Sequence, residues 1–150
     1  MRIAIASDHA AVAMKAALTD WLREAGHEVA DLGPEDGTSV DYPDYGYKLA
    51  EHVAAGHAER GIALCGSGIG ISIAVNRNAA VRCALVSEPL SAQLSRDHND
   101  ANIVAMGARI IGLEMAKACV TAFLDTPFGG DRHARRVGKL GNPPVPATPA

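Results

Sequence analysis

Apolar residues along this chain fall into short runs that alternate with longer stretches in which they recur at helical spacing. Ile3 to Ala6 is an unbroken apolar run; after Ser7-Asp8-His9 comes an alanine-rich amphipathic segment, Ala11 to Ala25, that stops at Gly26. A short continuous run suits a strand buried on both faces and a 3.6-residue period suits a helix buried on one, so the order is strand, loop, helix. The same pattern then repeats. Glu28 to Asp31 predicts a second strand, and Leu32 to Tyr42, rich in Gly, Pro, Asp, Ser and Thr, a connecting loop. Asp41-Tyr42-Pro43 marks a helix start, with Pro43 in the first turn and the end near Ala55. Ile62 to Leu64, ending in Cys65, predicts the third strand, and a helix follows from about Ile69 to Asn76. Val81 to Val86 predicts the fourth strand, with Cys83 inside it as core; Glu88-Pro89 open a helix that Asp97-His98-Asn99-Asp100 closes. Ile103 to Met106 is the fifth strand, and Leu113 to Leu124 an amphipathic helix whose apolar side carries Cys119.

Strands alternating with helices imply a parallel sheet covered on both faces. Right-handed crossovers then give a doubly wound, three-layer α/β fold, Rossmann-like or flavodoxin-like, with a five-stranded parallel sheet. The chain reads as a single domain over 1–140 and a proline-rich tail over 141–150, frayed or extended on the surface. On that layout Asp8, His9, residues 65–70 and Arg109 collect at the carboxyl edge of the sheet, where open sheets place their ligands.

Composition narrows the class. At 150 residues, 48% hydrophobic and 4% aromatic, the chain is large enough for one core of closely packed helices on a sheet. A net charge of -3 gives no electrostatic reason to expect a nucleic acid or a membrane surface as partner. No apolar run approaches the roughly 18 residues of a spanning helix, and the N-terminus turns polar at Ser7. Cys65, Cys83 and Cys119 are odd in number and lack C-x-x-C spacing, so neither a disulfide framework nor a metal site is expected, and a reducing cytoplasm is.

The chemistry concentrates at Gly61 to Ile73, which reads G-I-A-L-C-G-S-G-I-G-I-S-I. Three glycines between a strand and a helix leave backbone N–H groups uncovered and allow a tight turn that attracts an anion. A cysteine at such a place is either a small buried hydrophobe or a reactive thiol whose thiolate the helix start stabilises. Neither standard nucleotide motif fits: G-x-G-x-x-G requires glycine where Ile71 stands, and the Walker pattern is absent. Asp8 is a helix cap or a ligand, and His9 a plain loop residue or a ligand. Tyr42 anchors its loop or faces a ligand; His52 and His57 read as solvated. The Asp97 to Asp100 corner is ordinarily solvated, yet His98 there is a side chain suited to moving protons. After Gly129-Gly130 a basic segment places Arg132, Arg136 and Lys139 on one face if it is helical.

Cys65-Gly-Ser-Gly-Ile-Gly-Ile-Ser, with Ser7-Asp8-His9, Asp41-Tyr42-Pro43, Ser87-Glu88-Pro89 to His98-Asn99-Asp100, and Gly130 to Arg136, resembles the ribose-5-phosphate isomerase B family. That family also contains galactose-6-phosphate isomerase subunits, and the resemblance runs from about residue 2 to 138. It implies an aldose-ketose isomerase that interconverts ribose 5-phosphate and ribulose 5-phosphate through an enediolate, without metal or organic cofactor. Cys65 looks like the base; the amides of Gly66, Ser67, Gly68, Ile69 and Gly70, with the Ser67 hydroxyl, look like the anion hole. Some relatives use a Glu at the position of Ile71 instead, so this chain resembles the cysteine branch. His98 looks like the ring-opening acid/base, with Asp8 and Asn99 on substrate hydroxyls and Tyr42 lining the sugar pocket. Arg132 and Arg136, aided by His9 and Arg109, look like the phosphate set. The resemblance also implies a homodimer, or a dimer of dimers, with each site built from both subunits. Alternatives are an isomerase of a tetrose, galactose or allose phosphate, or a non-catalytic sugar-phosphate sensor. A thiol switch at Cys65 is disfavoured because Cys83 and Cys119 read as core. One departure stands out: Asp131 precedes Arg132 where many relatives run directly from Gly-Gly to Arg-His.

Overall fold

The structure, a computed structural model, describes residues 1–146. Elements follow in the order β1 (Arg2–Ser7), a short 3-10 turn (His9–Ala11), α1 (Val12–Glu24), β2 (Glu28–Asp31), α2 (Tyr42–Ala54) and β3 (Arg60–Cys65). Then come α3 (Ile69–Val75), β4 (Cys83–Leu85), α4 (Pro89–Asn99), β5 (Ile103–Gly107), α5 (Leu113–Asp125) and α6 (Arg132–Leu140). All five strands pair in parallel in the order β2-β1-β3-β5-β4.

Strand alternation divides the core into two unlike halves. Ile3, Ile5, Ile62, Leu64, Val104 and Met106 point to the face covered by α1 and α5, where Leu18, Leu22, Val120 and Phe123 are buried. Ala4, Ala6, Ala63, Cys65 and Ala105 point to the other face, under Leu49 and Val53 of α2 and Ile71 and Val75 of α3. Small residues let that layer approach closely: a Cβ at Gly46 of α2 would come within 2.8 Å of the Ala74 Cβ on α3. Cys65 therefore ends β3 on the tightly packed side, directly before the turn into α3.

Three sequence readings need correction. The fourth strand spans only three residues, not Val81 to Val86, and sits at the sheet edge because β5 pairs between it and β3. Cys83 on that edge is only partly buried rather than core, although its surroundings push the thiol up to about 12. His52 is half-buried rather than fully solvated, its ring 5.2 Å from that of His57. The tail reading falls partly on residues 147–150, outside the described residues; those before them, 143–146, form no regular element. No helix among the described residues is long and apolar enough to cross a membrane.

Candidate active site

Three carboxyl-terminal strand ends build one cleft. Its volume is about 300 Å³ and its lining comprises Asp8, Tyr42, Cys65, Gly66, Ser67, Gly70, Arg109 and Ile110. Size does not single it out, since hollows of about 440 Å³ beside Asp41 and Lys48 and about 480 Å³ beside Arg82 and Cys83 are roomier. Chemistry does.

From β1, Asp8 is buried, and its Oδ1 accepts the Ala10 N–H at 2.9 Å. It is thus the helix cap anticipated from its position and also part of the cleft wall. His9 follows, with Nδ1 3.1 Å from the Val40 nitrogen and 3.2 Å from the Val40 carbonyl, which ties the ring to the loop before α2. From β3, Cys65 is 4% exposed, and its Sγ accepts the Gly68 N–H at 3.1 Å. Gly68 has φ +78°, and any Cβ there would lie 2.7 Å from the Met106 carbonyl carbon and from Leu85 Cδ1. The turn back toward the sulfur thus needs glycine for both conformation and space. The Ile69 N–H goes to Ser67 Oγ at 3.2 Å. Two of the five turn amides are therefore committed inside the turn, and the expected anion hole narrows to Gly66, Ser67 and Gly70 with the Ser67 hydroxyl. Ile71 is fully buried under the sheet.

Glycines also admit the two larger neighbours. The Tyr42 ring, in the first turn of α2, lies where a Cβ on Gly70 would come within 2.6 Å of it. From β5, the Arg109 N–H donates to the Gly66 carbonyl at 2.9 Å, and Arg109 Nη1 would lie 3.2 Å from a Gly66 Cβ. Arg109 consequently stands over the Cys65 turn.

The remaining site candidates are elsewhere. His98 and Asn99 end α4, which runs antiparallel to the strands, so its last turn lies at the amino edge of the sheet. There the Asn99 carbonyl accepts from Arg82 Nε at 3.2 Å, just before β4, and Asn102, just before β5, holds the Arg82 amide. An 11-residue helix is about 16 Å long, and nothing within one chain brings His98 to Cys65. Arg132 and Arg136 ride on α6, which is helical as the spacing implied, and both are exposed. They lie with His98, not with Arg109, so the expected phosphate set is split in a single chain.

That second cluster has its own scaffold, which sequence reasoning missed. Asp100 caps α4 with φ +45° and is held by Arg96 Nη1 at 2.8 Å and Arg82 Nη2 at 3.2 Å. Arg96, 3% exposed, also donates to the carbonyls of Ala101 and Thr126 at 2.7 and 3.3 Å. His98 Nε2 is 3.6 Å from Asp97 Oδ2, and the His98 ring stacks on that of His133. Asp131 takes a glycine-like φ of +50°, is exposed, and its side chain makes no cap hydrogen bond to α6. No group of three or more His, Cys, Asp or Glu is placed to hold a metal ion among the described residues. The free cysteines among them include Cys83 and Cys119, whose thiols burial pushes up.

Known proteins match this chain along nearly its whole length. A model of the Ribose/Galactose Isomerase family matches residues 3–140. The ribose-5-phosphate isomerase B of Escherichia coli is 46% identical over 136 residues, covering 91% of this chain and 91% of that one. The D-erythrulose-4-phosphate isomerase of Pectobacterium atrosepticum is 41% identical over 142 residues, covering 94% and 93%. The solved ribose-5-phosphate isomerase B of Clostridium thermocellum superposes with a TM-score of 0.93 at 48% identity, covering 94% of this chain and 95% of that one. From β1 to the end of α6, then, the chain belongs to the ribose/galactose isomerase family, among the sugar-phosphate isomerases of the ribose-5-phosphate isomerase B type.

Proposed function

We propose that the chain interconverts ribose 5-phosphate and ribulose 5-phosphate in the cytoplasm, moving a proton between C1 and C2 through an enediolate. The observation that carries this reading is the Gly68 N–H aimed at Cys65 Sγ within a cleft that also holds Asp8, Ser67 and Arg109. The Gly68 N–H fixes the sulfur at the wall of the cleft, where as a thiolate it takes a proton from the sugar carbon. As base, Cys65 removes the C2 hydrogen of the aldose and returns it to C1. The amides of Gly66, Ser67 and Gly70, the Ser67 hydroxyl and the Arg109 guanidinium stand where negative charge develops on the enediolate oxygens. Asp8 Oδ2, not engaged in the cap, accepts from a sugar hydroxyl, and Tyr42 closes the side of the pocket.

A furanose phosphate must first open, and this role goes to His98, with Asn99 on a hydroxyl and Arg132, Arg136 and His9 on the phosphate. His98, Asn99, Arg132 and Arg136 reach Cys65 and His9 only from a second copy of the chain, so the working unit is a homodimer with composite sites. Exposed apolar side chains beside the cleft support that assembly: Ile69 and Ile73 on α3 are each 52% exposed, and Leu85 on the edge strand is 45% exposed. A tetrose phosphate is the second reading, favoured by the 41% identity to an enzyme named for erythrulose 4-phosphate. Cys65 held by an N–H in a polar cleft argues against a pure sensor, which needs no base.

Proton NMR of ribose 5-phosphate in deuterated water is the test. Ribulose 5-phosphate should form with deuterium exchanged at the transferred position, and Cys65→Ala should abolish both while still binding ligand. Dimeric protein that leaves ribose 5-phosphate unchanged but converts a tetrose phosphate would move the assignment to the second reading.

A further inference from the structure

His98 and His133 stack with ring centroids 4.4 Å apart and planes within 15°. The contact is built from both sides. The Gly129 N–H donates to the Asp97 carbonyl at 2.9 Å, and a side chain on Gly129 would collide with the Asp97 carboxylate, so the loop before α6 is seated on the last turn of α4. The His133 N–H then donates to the Gly130 carbonyl at 3.0 Å, starting α6 with its imidazole over the His98 ring. On its edge His98 meets Asp97, with Nε2 3.6 Å from Oδ2.

His98 needs this support. Its side chain is 42% exposed at a helix end, and the terminal torsion of histidine is broad and weakly restrained. Passing a proton between a ring oxygen and a hydroxyl demands one nitrogen at one place. We propose that His133 is the positioning residue for His98, fixing the plane of its imidazole by stacking; this rests on the ring-opening role given to His98 above. Partial burial, then Arg132, His98 and Arg136, hold the His133 pKa below its ordinary value against the opposing effect of Asp97. An uncharged ring is thus favoured beneath His98, and its π face tolerates the charge His98 gains when it takes a proton.

Two substrates separate positioning from other roles. Ribose 5-phosphate is mostly ring-closed, whereas ribulose 5-phosphate cannot close a furanose because its C5 oxygen carries the phosphate. Exchange of the ribulose 5-phosphate C1 hydrogen with deuterated water therefore reports the Cys65 step without ring opening. His133→Ala should lower kcat on ribose 5-phosphate about tenfold with KM little changed and with C1 exchange intact, as a displaced catalytic group requires. His133→Phe, which keeps a planar face, should restore kcat. Unchanged kcat in His133→Ala, or failure of phenylalanine to restore it, would overturn the proposal. So would a raised KM shared by both assays, which would make His133 a phosphate ligand alongside Arg132 and Arg136. His98→Asn in the same pair of assays tests the underlying reading separately: loss confined to ribose 5-phosphate upholds the ring-opening role, and equal loss in both removes it whatever His133 does.

Discussion

At Cys65, burial and a hydrogen bond from the turn meet in one residue. It is buried among Ala63, Ile71 and Ala105 like any small hydrophobe, yet its sulfur accepts the Gly68 N–H at 3.1 Å. Asp8 is similar, since one carboxylate oxygen caps the turn after β1 and the other remains for a ligand. Asp131 is the opposite case, a residue with a backbone that favours glycine and no side-chain hydrogen bond at the start of α6 to offset it. Releasing that strain is expected to outweigh the extra freedom glycine gains in the unfolded chain. Asp131→Gly should therefore stabilise the fold by about 1 kcal/mol in urea unfolding. A loss of stability would mean the Asp131 carboxylate does something the backbone conformation conceals.

The strand, turn and helix from Arg60 to Val75 form the unit on which the proposed chemistry depends, and its glycines are not interchangeable with those elsewhere. Gly68→Ala forces a side chain into a left-handed conformation against the Met106 backbone, whereas Gly138 in α6 faces open space. The first change should cost about 2–4 kcal/mol and the second should be neutral or stabilise by about 1 kcal/mol, because alanine is the better helix former. Equal effects of the two in urea melts would contradict this view of the turn. Much of this unit was legible beforehand: the apolar run into Cys65 and the three glycines announce a buried strand and a tight turn. The helices were legible through their spacing, and α6 through the four- and three-residue intervals between Arg132, Arg136 and Lys139. What stayed hidden depends on partners distant in the chain. β4 is short because β5, later in sequence, takes the place beside β3, and no local pattern records that order. The commitment of two turn amides to Cys65 and Ser67 likewise depends on the folded turn. His133 went unremarked because its meeting with His98 is made by the close seat of Gly129 on Asp97, which neither segment reveals alone.

Seen entire, the molecule places its two groups of candidate site residues at opposite edges of one sheet. Parallel strands put Cys65 at the carboxyl edge; the antiparallel return of α4 puts His98 at the amino edge, about 16 Å of helix away. In the proposed homodimer each Cys65 meets the partner's His98, and an isologous interface repeats that contact twice. Subunit mixing tests this directly. Cys65→Ala and His98→Asn chains, each inactive alone on ribose 5-phosphate, are unfolded together and refolded as a mixture. In a mixed dimer one composite site loses both residues and the other keeps both. Random pairing makes half the dimers mixed, so the mixture should recover about a quarter of wild-type activity per chain. Activity no greater than the sum of the two separate variants, in a preparation shown to contain mixed dimers, would mean that Cys65 and His98 do not share a site across the interface.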